Sequence, residues 1–157
     1  MNGRKNQTEM TDRIVDSLTA MGFELRLQEG VGYLFDFGYY SFAYMLSDDN
    51  ERLIRIVVTH LYSVNEENRL AVYQAMNVTS LTINCVKPIV IKDSVWMLYE
   101  HLQAGDCNLD ETLEFMIRAL LTASKTFHRT VIFNLSEDET QTKYKLLCEL
   151  PTSHFSS

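Results

Sequence analysis

The chain has 157 residues, with 14 Lys and Arg against 21 Asp and Glu, for a net charge of −7. That length fits one domain with a real core, and 46% apolar against 22% charged residues is ordinary globular composition. An acidic balance without clustered Lys or Arg argues against nucleic acid and against anionic membrane surfaces.

Residues 8–21 read as an amphipathic helix, because Met10, Ile14, Val15, Leu18 and Met21 form one stripe with Asp12, Arg13 and Asp16 outside it. Gly22 supplies the C-cap. The period then falls to two: Phe23, Leu25 and Leu27 alternate with Glu24, Arg26 and Gln28, which predicts a half-buried strand. After the turn Glu29–Gly32, residues 33–37 and 39–47 are the next strands, or one long strand bent at Gly38. Asp48-Asp49-Asn50 is a hairpin loop, and the β-branched run 52–60 is a further strand.

Ser63-Val64-Asn65-Glu66 has the form of a capping box. It predicts a helix to about Met76 with Val64, Ala71, Val72 and Ala75 on its apolar side. Leu81, Ile83 and Cys85 alternate as a strand that Lys87-Pro88 breaks. Ile89–Ile91, the turn Lys92-Asp93-Ser94 and Val95–His101 form a hairpin. Asn108-Leu109-Asp110-Glu111 is a second capping-box-like start, and the helix it opens runs to about His128.

The expected fold is therefore α+β: an antiparallel sheet of five to six strands with helices packed on it, in the order α-β-β-β-α-β-β(-β)-α. Residues 1–130 make a single domain. Residues 131–157 form a C-terminal tail in which Ser136–Leu150 could make a short helix stopped by Pro151.

Seven of the 17 aromatic residues sit in one short run: Tyr33, Phe35, Phe37, Tyr39, Tyr40, Phe42 and Tyr44. One reading makes them core beneath the helices. The other makes them an exposed sheet face that binds a peptide or a second subunit, a role suited to Tyr because its ring buries area while its hydroxyl stays wet.

Chemical motifs are sparse. His60, His101, His128 and His154 fall in no metal-ligand spacing and are not expected to converge. Asp48-Asp49-Asn50-Glu51-Arg52 lacks the glycine and the fifth-position ligand of a calcium loop. Gly30-Val31-Gly32 precedes a strand, where a phosphate cradle would need a helix. No catalytic residue, cofactor or metal is expected. The three widely spaced cysteines, Cys85, Cys107 and Cys148, make no disulfide framework and fit reduced thiols in a cytoplasmic protein. The first residues carry no apolar run, so neither a signal peptide nor a membrane span is expected.

The opening helix, the strand meander Phe23–Thr59, the helix Val64–Met76 with its Asn77 exit, the hairpin at Lys92-Asp93-Ser94 and the closing helix Leu109–Phe127 follow a known order. Over residues 8–128 the chain resembles the bacterial YbjN-like family, described as sensory transduction regulators, and the type III secretion chaperone-like fold. The resemblance implies a non-enzymatic, often dimeric module that binds a protein segment. The expected function is thus a chaperone-like or regulatory protein-binding module, cytoplasmic and homodimeric. The dimer is expected through the aromatic strands, through Val64, Ala71, Val72 and Ala75, or through both. The alternatives are a small-ligand sensor with a pocket between sheet and helices, or an enzyme whose site is assembled only in space.

Overall fold

The computed structural model describes residues 3–46, 52–105 and 108–148, with side chains over 9–46, 52–105 and 108–137. The elements are α1 (Gly3–Ala20), β1 (Arg26–Gln28), β2 (Gly32–Phe37), β3 (Tyr40–Met45), β4 (Leu53–Ser63), α2 (Arg69–Thr82), β5 (Val86–Ile91), β6 (Ser94–Leu102) and α3 (Leu109–Cys148). All strand pairs are antiparallel, in one six-stranded sheet of order β1-β2-β3-β4-β6-β5. The fold is α+β, with four strands before α2. The expected hairpin loop at 48–50 and the residues Cys107, Pro151 and His154 lie outside the described residues.

Register sorts the side chains into two faces. Phe35, Phe42, Val58, Met97 and Pro88 form one row across five strands, and Tyr33, Tyr44, Ile56, Tyr99 and Val86 form the next. Most of these residues pack in one cluster with Ile14 and Leu18 of α1, Val72 and Ala75 of α2, and Leu113, Met116, Leu120 and Phe127 of α3. All three helices therefore cover the same face.

Several boundaries differ from the sequence expectation, each for a local reason. Gly22 does end α1: its N–H donates to the Thr19 carbonyl and that of Phe23 to the Leu18 carbonyl, which is the Schellman pattern. Only Arg26–Gln28 of the segment that follows pairs as a strand, at the sheet edge, while Phe23 and Leu25 pack on the core from irregular backbone. The box before α2 is shifted and uses different residues. Asn65 and Asn68 each donate a backbone N–H to the other's side-chain Oδ1, at 2.8 and 2.9 Å. Helix α2 starts at Arg69 and runs to Thr82, so Leu81 is helical and the expected strand over 81–85 does not form. Strand β5 instead continues through Pro88, which a sheet edge tolerates because one side of β5 has no ladder partner.

At the far end α3 is one helix of 40 residues. The boundary expected at residue 130 falls within it: Val131 is buried in the core, and Asn134 Nδ2 donates to the Ala71 carbonyl at 3.1 Å. Asn108 caps its start by accepting the Glu111 N–H, and Ser17 of α1 donates to the Asp110 carboxylate. Among the described residues, no helix is long and apolar enough to cross a membrane.

Candidate protein-binding surface

The aromatic run is divided by its position in the sheet. Phe35, Phe42 and Tyr44 are buried in the helix-covered core, with Phe35 and Phe42 stacked at 5.3 Å and Tyr33 stacked on Tyr44 at 6.3 Å. The exposed-face reading of these three is corrected: their parity points them at α1 and α3. Tyr33 and Tyr40 are half-buried. Phe37 (40% exposed) and Tyr39 (105%) flank the β2–β3 turn at Gly38.

The residues expected at a dimer interface are also internal. Val64, Ala71, Val72 and Ala75 are all buried within one chain. Val64 precedes α2 instead of lying on it, and the small Ala71, Val72 and Ala75 allow α2 to pack closely on its own α3 and β5. The opposite side of α2 faces outward and carries Leu70 (66% exposed), Tyr73, Val78 and Leu81 (78%). These recur at helical spacing, and Arg69 is the one charged residue in α2.

The second face of the sheet packs in none of the helix-covered cluster. Its central row is apolar across four strands: Leu34, Ala43, Val57 and Leu98, in register, with Lys87 at the end. Leu34 and Leu98 are half-buried and flank the buried Ala43 and Val57. Met45, Trp96 and Ile89 extend the patch. Ion pairs close its two sides. Arg26 meets Asp36 at 2.9 Å. Glu100 meets both Arg55 and Lys87 at 2.8 Å. The Lys87 ammonium and the Arg55 guanidinium hold the Glu100 carboxyl below its ordinary value, and Ser41 with Arg26 does the same for Asp36. The Trp96 indole N–H is buried without a hydrogen-bond acceptor among the described residues.

Two edges border this face. β1 has three residues and β5 carries Lys87 and Pro88, features that discourage strand addition. The face is therefore better suited to binding than either edge.

Three of the clefts among the described residues bear on function. One, of about 480 Å³, is bounded by Arg13, Asp16 and Asp110 where α1 meets the start of α3. An apolar one of about 420 Å³ is lined by Met21, Phe23, Phe37, Ile117 and Leu121, with Glu114 and Arg118 beside them. The third, about 340 Å³, lies at the tip of the β2–β3 hairpin. His60 and His128 both line it but pack on different rings, His60 on Trp96 and His128 on Tyr40, Tyr62 and Phe127; His101 lies elsewhere, on β6. Among the described residues no group of three His, Cys, Asp or Glu is placed to hold a metal.

This third cleft depends on a bulge that the sequence did not signal. Between the Val58–Met97 and Tyr62–Val95 pairs, Thr59, His60 and Leu61 stand against Trp96 alone. His60 takes a left-handed φ of 48°. The irregularity frees the Leu61 carbonyl from the ladder, and it lies 3.0 Å from His128 Nε2.

No protein-family model matches the chain, and no curated protein matches it at a significant level.

Proposed function

We propose that the chain is a non-enzymatic protein-binding module, chaperone-like or regulatory, that holds an apolar segment of a partner on the helix-free face of its sheet. The observation that carries this reading is the row Leu34–Ala43–Val57–Leu98, apolar across four strands and left without a helix. Sheets bury their apolar faces against a second layer, and among the described residues no helix covers this row, whose ends Leu34 and Leu98 are half-buried. The ion pairs at its sides suit a partner segment that is apolar at its centre and carries charges of both signs at its flanks. The resemblance of the sequence to the type III secretion chaperone-like fold suits the same reading. Binding is by burial alone, with no chemical step, and the module works in the cytoplasm.

We further propose that the working unit is a homodimer. The outer stripe of α2, Leu70, Tyr73, Val78 and Leu81, would form its interface, since Val64, Ala71, Val72 and Ala75 are buried within one chain. A stripe with almost no charge lets two chains of −7 each approach with little local repulsion, and twofold pairing of one patch with itself is the commonest oligomer geometry.

Co-purification tests the binding face. The wild-type chain, isolated from extracts of the source cell, should retain a stoichiometric polypeptide that Leu98→Glu releases while the variant keeps its helical circular dichroism. Retention of the same polypeptide by a folded Leu98→Glu protein would contradict the reading.

A further inference from the structure

The cleft at the β2–β3 hairpin tip borders the helix-free face, where His60 meets Trp96, and has its own chemistry. Its volume, about 340 Å³, is at the lower end of small-molecule sites. Seven residues line it and none is acidic, in a chain with 21 Asp and Glu. The carboxylate beside it, Asp36, already accepts from Ser41 Oγ and Arg26.

The cleft's hydrogen bonds fix the state of its central histidine. The Leu61 carbonyl can only accept, so His128 Nε2 carries a proton and donates to it at 3.0 Å. The other nitrogen, Nδ1, then accepts from the Tyr40 hydroxyl at 3.3 Å. The two rings stack at 5.8 Å. The next residue on α3, Arg129, is near enough to favour the phenolate of Tyr40 electrostatically, while burial opposes it more strongly. On the opposite wall the His60 ring rests edge-on against Trp96 at 4.9 Å, and no hydrogen bond engages its nitrogens among the described residues. Thr59 and the fully exposed Tyr39 complete the rim.

We infer that this cleft binds a small organic anion, a carboxylate or a phosphate monoester, held by Tyr40 and His60, with His128 positioning the Tyr40 hydroxyl. Tyr40 of β3 and His60 of β4 both line the cleft, and each carries a donor. Without the anion the Tyr40 hydroxyl donates to His128 Nδ1. An arriving anion accepts from the Tyr40 hydroxyl in place of Nδ1 and from a ring N–H of His60, and a water donates to the freed Nδ1. Only hydrogen bonds are exchanged; no covalent bond is made or broken and no proton is taken up. The rings packed on His128 are Tyr40 of β3, Tyr62 of β4 and Phe127 of its own helix, and the next residue on that helix is Arg129.

The test is a titration of the full chain with sodium phosphate and, separately, sodium acetate at constant ionic strength, followed through the histidine ring resonances by NMR. The expected result is saturable movement of His60 and His128 together with one of the two anions, while His101 stays fixed. The anion that saturates first assigns the ligand class. Tyr40→Phe and His60→Asn should each weaken binding about tenfold or more, the scale of one charge-assisted hydrogen bond. Asn suits the left-handed backbone at position 60, and the side chain there is exposed, so that variant keeps the fold. No saturation with either anion, equal movement of His101, or unchanged binding in both variants would each overturn the proposal.

Discussion

Tyr40 and His128 join the long helix to the sheet by two hydrogen bonds, and both residues are only half-buried. Tyr40→Phe keeps the ring stack and removes one bond, so it should cost about 1 kcal/mol, read as a lower midpoint of urea unfolding. Other residues set the response to pH. Burial raises the Tyr40, Tyr44 and Tyr99 hydroxyls above their ordinary value of 10.0. Above pH 10 the unfolded chain therefore loses these protons first, and stability should fall as the pH rises further. At the acid end the direction reverses. Glu100 and Asp36 are held below their ordinary values of 4.5 and 3.8. Their contribution is present above those values and is lost as the pH falls through the lowered ones. Glu100→Gln and Asp36→Asn should flatten the acid limb of unfolding midpoints measured from pH 7 to pH 2, and an unchanged limb in the double variant would count against these pairs.

At the scale of elements, the longer periodic segments stand where periodicity placed them, whereas the short alternations at 23–28 and 81–85 and whatever depends on long-range pairing do not. The stripe from Ile14 to Leu18, the alternation in β2 and β3, the Lys92-Asp93 turn and the Asn108 cap are all local signals, and each sits where the sequence placed it. The parity of Tyr33 to Tyr44 was legible too, but not which face α1 and α3 would cover. That choice is made by contacts such as the one between Thr11 and Tyr44, 33 positions apart. Pro88 reads as a breaker until β5 is known to lie at an edge. Ala71, Val72 and Ala75 do form the buried side of α2; its burial under α3 depends on residues beyond 130, such as Asn134, whose place in the long helix no local signal marks. The bulge at Thr59–Leu61 has no sequence mark, so the cleft beside it could not be anticipated. Two substitutions test these elements. Thr130→Pro lies in the middle of α3, next to the buried Val131, and should cost about 3 kcal/mol or more; a protein with unchanged stability would mean that the helix ends near His128 after all. Gly32→Ala should be at least as damaging. Gly32 has a φ of 139°, and an added Cβ would collide with the Tyr44 carbonyl across the β2–β3 pair. Thermal unfolding of the variant checks that expectation.

The whole molecule is a two-layer structure: three helices over one side of a sheet, and an apolar row on the other. The layer that would cover that row must come from outside the elements described here, which is the physical basis for reading the chain as a binding module. The outer stripe of α2 lies apart from it, so one chain can engage a second copy and a client at once. Sedimentation at micromolar concentration should show a species of twice 18.2 kDa, reduced to a monomer by Leu81→Glu; a wild-type monomer would remove the dimer and leave the sheet face untouched. The most direct measurement is photo-crosslinking from that face. A photoreactive residue at position 98 should give one discrete adduct with a partner polypeptide in extracts of the source cell, and the same residue at exposed position 125 of α3 should give none. No adduct from position 98, or the same adducts from both positions, would contradict the account.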